Sequence, residues 1–346
     1  MNKKLDKNRI INILNDLYGD QANEIYLAIE YLIVKYQSKI KNEVQPLTEK
    51  DTILITYGDN VQQDGVPHLK TLKKFVDRYC LPEINSTHIL PCFPYTSDDG
   101  FSVTDYYEID PDLGTWKEIE ELAESSSLMF DAVVNHMSKS SHWFQSYLAQ
   151  EGEFKDYFIA VNPEIDLSKV VRPRALPLLS PFKFKNGEEK HVWTTFSEDQ
   201  VDLNFESPKV FLAILDVLLH YTTKGAKFIR LDAIAFLWKE IGTNCIHLEQ
   251  THTIIKLYKE VIQTLTSNLY LITETNVPHK ENISYFGNGE DEADLVYNFT
   301  LAPLLVYSVM KEDVSVLTKW ASSLQMPSNK VCFFNFTASH DGLGMR

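Results

Sequence analysis

Short, almost continuous apolar runs recur along the chain from about Asp51 onward, and each ends in polar residues before a helical stretch. The seven runs are TILITYG (52–58), THILP (87–91), LMFDAVV (128–134), KFIRLD (227–232), LYLIT (269–273), DLVYNF (294–299) and VCFFNF (331–336). Runs that are apolar throughout, rather than at alternate positions, are typical of parallel strands covered on both faces. The pattern therefore predicts a parallel sheet with helices packed against it.

The stretches between the runs carry the apolar stripe and the end signals of helices. VFLAILDVLLHYTT follows Pro208, a first-turn proline that Ser207 can cap, and Gly225 ends this helix before the next run. Strands that alternate with helices form βαβ units. Seven runs therefore predict an α/β protein with an incomplete (β/α)8 barrel of the TIM type. A doubly wound open sheet is the alternative, but ITYGDN after the first run has no GxGxxG turn to support it.

Two parts of the chain fall outside this repeating pattern. About ninety residues separate the third run from the fourth, whereas a βαβ unit needs ~30. We interpret residues 137–205 as a small inserted domain and residues 1–50 as a helical N-terminal extension. The barrel would then consist of residues 51–136, with strands 1–3, and residues 206–346, with strands 4–7. Strand 8 and a C-terminal β-domain are missing from this division, so we expect the isolated chain to be unstable or inactive.

The charge balance excludes several classes of partner. The 346 residues include 33 basic and 48 acidic side chains, which gives a net charge of -15. A field of that sign repels nucleic acid and anionic membrane surfaces, so neither is an expected partner. No apolar stretch approaches the ~20 residues of a membrane span, and the start of the chain lacks the features of a signal peptide. These features predict a cytoplasmic protein.

The four cysteines, Cys80, Cys92, Cys245 and Cys332, are scattered along the chain. They form no CxxC pair and no Cys/His cluster at the spacing of metal ligands, so we interpret them as free thiols. No metal site and no organic cofactor is predicted.

Reactive side chains lie at the ends of four of the seven runs. These side chains are His136, Arg230, Asp232, Glu274, His340 and Asp341. In a (β/α)8 barrel the carboxyl ends of the strands meet at one mouth, so these groups would converge on one pocket. Convergent carboxylates suit the cleavage of glycosidic bonds, with one nucleophile and one acid/base. Arg230 is two residues from Asp232, on the same strand face, and can keep Asp232 ionised. Metal binding is the competing use, but no HExxH or similar spacing is present.

Four motifs in order, DAVVNH, FIRLDAIAF, ITETN and FTASHDG, resemble the four sequence regions of the α-amylase family (glycoside hydrolase family thirteen). The resemblance implies that Asp232 is the nucleophile, Glu274 the general acid/base and Asp341 the stabiliser of the transition state. It further implies that the side chains that hold the glucosyl ring are His136, Arg230 and His340. Taken singly, each acid could be a surface residue and each histidine a structural one; Asp131 is interpreted as structural.

The stretch LPCFPYTSDDGFSVTDYYEIDPDLGTW (90–116) resembles the loop after the second barrel strand in the sucrose phosphorylase subfamily, and especially its glucosylglycerate-type branch. The resemblance implies that Asp98 and Phe101 close the glucose site so that it admits one glucosyl unit, although Asp99 fits the aspartate position equally well. VWTTFSEDQVDLN (192–204) resembles the segment that re-enters the barrel. There Trp193 and Phe196 either wall the acceptor side or serve in packing.

The implied reaction is retaining phosphorolysis of an α-glucoside to α-glucose 1-phosphate through a covalent glucosyl-enzyme. The partners would be a small sugar substrate (sucrose, sucrose 6-phosphate or glucosylglycerate) and inorganic phosphate, with no cofactor. Two alternatives stay open: a retaining α-glucosidase or transglucosylase with the same carboxylates, and an inactive truncated remnant. The identity of the acceptor and the oligomeric state cannot be read from the sequence.

Overall fold

The seven apolar runs form the strands of one parallel sheet in a computed structural model, which describes residues 5–40 and 46–342. The strands in this part of the chain are β1 (Ile53–Thr56), β2 (Ser86–Ile89), β3 (Ser127–Val133), β4 (His136–Ser138), β5 (Ala160–Val161), β6 (Leu179–Lys183), β7 (Glu189–Trp193), β8 (Gln200–Asp202), β9 (Ala226–Asp232), β10 (Tyr270–Thr273), β11 (Leu295–Tyr297) and β12 (Cys332–Phe334). The parallel sheet has the order β1-β2-β3-β9-β10-β11-β12. The predicted fold class, an incomplete (β/α)8 barrel, is confirmed.

Helices connect successive strands of this sheet, as parallel pairing requires. The helices of the described residues are α1 (Lys7–Tyr18), α2 (Ala22–Gln37), α3 (His68–Tyr79), α4 (Trp116–Ala123), α5 (His142–Leu148), α6 (Pro208–Thr223), α7 (Glu249–Leu265), α8 (His279–Ile283), α9 (Leu301–Lys311) and α10 (Ser315–Ser323). No helix in the described ranges is long and apolar enough to cross a bilayer.

Helix α6 shows how local sequence sets an element boundary. Pro208 begins the helix, and Ser207 before it is extended, although its side chain makes no capping hydrogen bond. Gly225, just after the helix, has φ +92°, and a Cβ there would lie 2.8 Å from the Cβ of Ala123. Only glycine fits this turn without strain, so the chain can reverse directly into β9.

The residues between β3 and β9 form two small antiparallel sheets beside the barrel mouth. Strand β4 pairs with β8, and β7 lies between β5 and β6. Trp193 at the end of β7 is buried in a separate apolar cluster with Val161 and Leu178. Of the two alternatives for Trp193, the structure therefore places it in packing. The boundary at 137–205 stays an interpretation, because the β4–β8 pair joins this region continuously to the barrel.

The N-terminal helices α1 and α2 pack on the outside of the barrel. The Tyr18 hydroxyl donates a hydrogen bond to the carbonyl of Phe205 at 3.1 Å. Lys35 Nζ lies 2.5 Å from a carboxylate oxygen of Asp216 on α6. The extension proposed at residues 1–50 includes residues 1–4 and 41–45, which lie outside the described residues.

The barrel interior is built in layers by alternate residues of neighbouring strands. Met129, Phe228, Ile272 and Leu295 form one apolar cluster. Because side chains alternate between the two faces of a strand, residues two positions further along must face the same interior. By this rule, polar side chains of β3 and β9 point into the barrel one layer above this apolar cluster.

Candidate active site

The register of β3 and β9 brings Asp131 and Arg230 together inside the barrel. Their Cα atoms are partners in the parallel ladder, one layer above the partners Met129 and Phe228. Asp232 follows two residues later on the same face of β9. Glu274 follows the last residue of β10, and its backbone N–H donates to the carbonyl of Leu231 at 3.3 Å. The predicted convergence of strand ends therefore arises from ordinary strand geometry.

Arg230 is the electrostatic centre of this site. Its side chain is only 2% exposed, and Nη1 donates to Oδ1 of Asp232 at 2.7 Å and to Oδ1 of Asp131. Nη2 lies 3.8 Å from Oε2 of Glu274. One guanidinium thus contacts the carboxylates of three strands, and it places Asp232 and Glu274 within reach of a single bound group.

Asp131 lies beneath the site rather than in it. Its side chain is fully buried, and the second oxygen contacts Nε2 of His88 at 2.7 Å. Burial raises the pKa of Asp131, but the charges and hydrogen bonds of Arg230 and His88 outweigh burial and hold this pKa at about 2. A carboxylate with both oxygens paired in this way supports its neighbours, in agreement with the structural interpretation of Asp131.

Glu274 has the properties of a general acid. Burial, together with the nearby carboxylates of Asp232 and Asp341, outweighs the opposing charge of Arg230 and raises the pKa of Glu274 to about 7. The backbone N–H of Ala233 donates to Oε2 at 3.4 Å. A carboxyl group with a pKa near 7 can carry a proton at neutral pH and deliver it during a reaction.

The predicted effect of Arg230 on Asp232 needs a correction. The contact between the two side chains is present, but burial of Asp232 exceeds the effect of Arg230 and His136, so the pKa is raised rather than lowered. The sequence predicts the partner, but the balance between pairing and desolvation depends on how deeply the strand end is enclosed.

His136 begins β4, and polar partners hold its ring. Its Nε2 lies 3.0 Å from the carbonyl oxygen of Phe101 and 3.2 Å from the amide nitrogen of Gln200. Burial lowers the pKa of His136, so the ring is neutral near neutral pH. Behind it, the buried Lys239 Nζ donates to Asn135 at 2.8 Å and lies 2.7 Å from Asp202, which fixes the β4–β8 pair.

His340 and Phe101 form another part of the cavity wall. Their rings are stacked with centroids 5.1 Å apart, and burial lowers the pKa of His340. Tyr57 at the end of the first run packs edge-on against His340 at 6.4 Å. Asp341 is 65% exposed and lies 3.4 Å from Nε2 of His340, so it stands at the rim of the site.

Asp98 and Asp99 lie in a tight turn that both residues enter with positive φ, 56° and 49°. Asp98 accepts hydrogen bonds from Gln200 at 2.8 Å and from Arg174 at 3.1 Å. These two bonds fix the position of its carboxylate in the site. Gly100 has φ +103°, and a Cβ there would lie 2.7 Å from the carbonyl oxygen of Pro91. The glycine is required for this turn, which presents Phe101 to the site.

All eight predicted site residues line one cavity of about 380 Å³. They are Asp98, Phe101, His136, Arg230, Asp232, Glu274, His340 and Asp341. Phe196 also lines the cavity. The sequence had left open whether this residue forms a wall of the site or serves in packing. Their chemical roles stay predictions, since the geometry gives positions and not reactions.

Sequence reasoning missed several residues of the lining. Tyr57 directly follows β1 and could have been found by the same rule as the other strand ends. Gln200 lies in the quoted VWTTFSEDQVDLN stretch, but no pattern marks it as a contact of His136. Arg172 and Arg174 come from an irregular segment between β5 and β6, where no spacing rule applies.

A larger cavity of about 960 Å³ opens elsewhere and is lined by Asp51, Asn85, Ser127 and Lys227, among others. These residues lie at or next to the amino ends of the barrel strands, and none of the eight predicted residues lines this cavity. Within the ranges that the structure describes, no group of three or more His, Cys, Asp or Glu side chains could hold a metal ion.

Comparisons with known proteins agree with this geometry. The sequence profile described as Alpha amylase, catalytic domain, matches residues 82–342. The Glucosylglycerate phosphorylase of Escherichia coli (strain K12) is 47% identical over 343 residues, covering 98% of this chain and 61% of that protein. The Glucosylglycerate phosphorylase of Allomeiothermus silvanus is 48% identical over 336 residues, covering 97% of this chain and 60% of that protein.

Among solved structures, the sucrose 6F-phosphate phosphorylase of Thermoanaerobacter thermosaccharolyticum superposes with a TM-score of 0.76. It is 29% identical in sequence, and the match covers 87% of this chain and 61% of that one. The chain therefore spans about three fifths of the length of these relatives.

Proposed function

The chain belongs to the α-amylase family, and we propose that it is a sugar phosphorylase that transfers the glucosyl unit of glucosylglycerate to inorganic phosphate. The observation that carries this proposal is the pair of carboxyl groups, Asp232 and Glu274, on one buried guanidinium, with the pKa of Glu274 raised to about 7. This pair supplies both groups that a retaining glycosyl transfer needs.

In the first step, a carboxylate oxygen of Asp232 attacks the anomeric carbon. The bond from that carbon to the glycosidic oxygen breaks, and Glu274 gives its proton to the departing oxygen, so the acceptor leaves as a neutral hydroxyl. The glucosyl unit is then an ester of Asp232. Because Glu274 is protonated up to about pH 7, the leaving group does not depart as an alkoxide.

In the second step, a phosphate oxygen attacks the same carbon from the face that the acceptor left. The ester bond to Asp232 breaks, its carboxylate is restored, and Glu274 accepts the proton that the incoming phosphate releases. Two inversions give α-glucose 1-phosphate with retained configuration. We assign Asp341 to the stabilisation of positive charge on the sugar ring between these steps.

The enclosing walls favour one glucosyl unit over a polymer. Phe101 and His340 close one side by stacking, and the hydrogen bonds of Asp98 to Gln200 and Arg174 span the site. A site narrowed in this way among the described residues suits a single glucosyl ring. His136 and Arg230 are positioned to bind the hydroxyl groups of that ring.

The choice of phosphate and of a glycerate leaving group is supported by the relatives. The two glucosylglycerate phosphorylases share 47% and 48% identity with this chain, whereas the sucrose 6F-phosphate phosphorylase shares 29%. The conclusion concerns the whole protein, of which the chain covers the part that holds the two carboxylates.

The test is phosphate-dependent release of α-glucose 1-phosphate from glucosylglycerate by the wild type, D232N and E274Q. We expect the wild type to form α-glucose 1-phosphate, D232N to lose at least about 10⁴-fold in kcat/KM, and E274Q to lose roughly 10²–10⁴-fold. E189Q, which changes an exposed acid on β7, is the control and retains activity. Turnover of D232N at the wild-type rate, or release of free glucose instead of the phosphate ester, would contradict the proposal.

A further inference from the structure

The cavity with the proposed catalytic carboxylates has more acidic than basic side chains in its lining. Its five carboxylate side chains are those of Asp98, Asp99, Asp232, Glu274 and Asp341, and its three guanidinium groups are those of Arg172, Arg174 and Arg230. The two histidines of the lining add little positive charge, because burial lowers the pKa of both His136 and His340. An anion that enters this cavity meets repulsion unless a cation is available to it.

Two of the three guanidinium groups are already engaged with carboxylates. Arg230 is buried and hydrogen-bonded to Asp131 and Asp232. Arg174 donates to both oxygens of Asp98, at 3.3 and 3.1 Å, and lies over the ring of Phe196 at 5.8 Å. Neither charge is free to compensate a further anion.

Arg172 differs from both. Its Nη1 makes one long hydrogen bond, 3.4 Å, to the carbonyl of Leu176, beyond the usual range of about 2.7–3.2 Å. Among the residues that the structure describes, no carboxylate lies within ion-pair distance of this guanidinium. Of the three guanidinium groups that line the described cavity, Arg172 is therefore the one whose charge is available.

The segment that carries Arg172 is anchored at the cavity and does not hang free. The backbone N–H of Val171 donates to the carbonyl of Asn244 at 3.0 Å, and Lys169 Nζ donates to the carbonyl of Gly242 at 3.2 Å. Both acceptors lie in the connection between β9 and α7, downstream of Asp232. These two hydrogen bonds hold the residues next to Arg172 against the connection that follows β9.

An acceptor with a carboxylate needs such a group, whereas a neutral acceptor does not. Like charges that are brought close together repel each other, and more strongly in a partly enclosed cavity than in water. An acid that enters beside the existing carboxylates is therefore repelled by them. A guanidinium offsets this repulsion and matches the planar carboxylate with two parallel hydrogen bonds.

We propose that Arg172 binds the carboxylate of the acceptor and thereby makes the site select a small hydroxy acid over the corresponding neutral polyol. The inference rests on the proposed function, since it concerns the leaving group of that reaction. It adds the residue that distinguishes an acidic acceptor from a neutral one.

The experiment runs the reaction in the direction of synthesis, with α-glucose 1-phosphate as donor and either glycerate or glycerol as acceptor. These acceptors differ in the carboxylate that Arg172 would bind. We expect R172Q to lower kcat/KM for glycerate roughly 10- to 150-fold, the loss of a hydrogen bond to a charged group, and to change kcat/KM for glycerol by no more than about twofold. R172K keeps the positive charge but cannot make two parallel hydrogen bonds to a carboxylate. Its kcat/KM for glycerate should therefore lie between those of the wild type and R172Q.

K183Q is the matched control, because Lys183 is an exposed cation on β6 of the same inserted region and does not line the cavity. K183Q should leave the ratio of kcat/KM for glycerate to kcat/KM for glycerol unchanged. An equal loss of R172Q on both acceptors would overturn the inference, as would a loss confined to the KM for inorganic phosphate.

Exchange of labelled phosphate into α-glucose 1-phosphate separates this inference from the proposed function, because exchange needs no acceptor. If both the wild type and R172Q catalyse the exchange, and R172Q leaves the ratio of kcat/KM for glycerate to kcat/KM for glycerol unchanged, the role of Arg172 is refuted and the phosphorylase proposal stands. Absence of exchange in the wild type would refute the phosphorylase itself, and the role of Arg172 with it.

Discussion

Asp131 and Glu274 face the same guanidinium, that of Arg230, yet their pKa values shift in opposite directions. The pKa of Asp131 is held at about 2, and that of Glu274 is raised to about 7. Asp131 is fully enclosed and has a second partner in His88 at 2.7 Å. Glu274 faces the cavity, lies 3.8 Å from Arg230, and has carboxylates as its other charged neighbours.

The difference shows how two neighbouring layers of the barrel interior can divide structural support and reactivity between them. Beneath the cavity, complete pairing offsets the cost of burying a charge and fixes Arg230 in one position. One layer higher, the same guanidinium is shared among carboxylates that it cannot fully compensate. The uncompensated carboxyl groups are the ones whose protonation can change during a reaction.

The largest expected effect comes from removing the carboxylate of Asp131. D131N leaves the buried His88 without its anionic partner and removes one of the two carboxylates that Nη1 of Arg230 contacts. We expect a loss of about 3–5 kcal/mol in the free energy of unfolding, the usual result when one partner of a buried pair is removed. D232N makes the same chemical change on the same guanidinium, but burial already disfavours the charged form of Asp232 and raises its pKa, and Arg230 keeps Asp131 as a partner. The loss in the free energy of unfolding should therefore be smaller for D232N than for D131N.

Urea unfolding of both variants, followed by circular dichroism, measures this difference. If D131N and D232N are destabilised equally, the distinction between a supporting layer and a reactive layer is wrong.

A smaller effect concerns the pH dependence of the reaction. The raised pKa of Glu274 keeps its carboxyl group protonated up to about pH 7, so the acid form needed for the first step is lost as the pH rises above that value. We expect kcat/KM for phosphorolysis to fall about tenfold for each pH unit above about 7. A profile of kcat/KM against pH, measured with saturating phosphate, shows this fall as its descending limb.

The control for the pH profile is an α-glucosyl fluoride donor, whose leaving group needs no proton. Its kcat/KM should lack the descending limb near pH 7. The same limb with both donors would assign the titration to another group.

Most of the fold and the positions of the site residues follow from local rules. The continuous apolar runs specify buried parallel strands, and the residues at their ends must meet at one mouth once the strands are parallel. For that reason Asp232, Glu274 and Asp341 could be placed together although they are far apart in the chain.

The remaining features depend on tertiary balance. Arg172 reaches the cavity from an irregular segment whose path no periodicity determines. The pairing of His88 with Asp131 depends on the register between β2 and β3, which places residues 88 and 131 on neighbouring strands. The direction of the pKa shift of Asp232 depends on the depth of burial, which a strand pattern does not measure.

The most direct test of the central claim is to trap the glucosyl group on Asp232. With α-glucosyl fluoride as donor and without phosphate, E274Q can form the ester because fluoride leaves unprotonated, and the ester should accumulate because the base for its breakdown is missing. We expect mass spectrometry of the digested protein to show one added glucosyl unit on the peptide that contains Asp232, and none in the E274Q/D232N double variant. A glucosyl unit on another residue, or equal labelling of the double variant, would contradict the account.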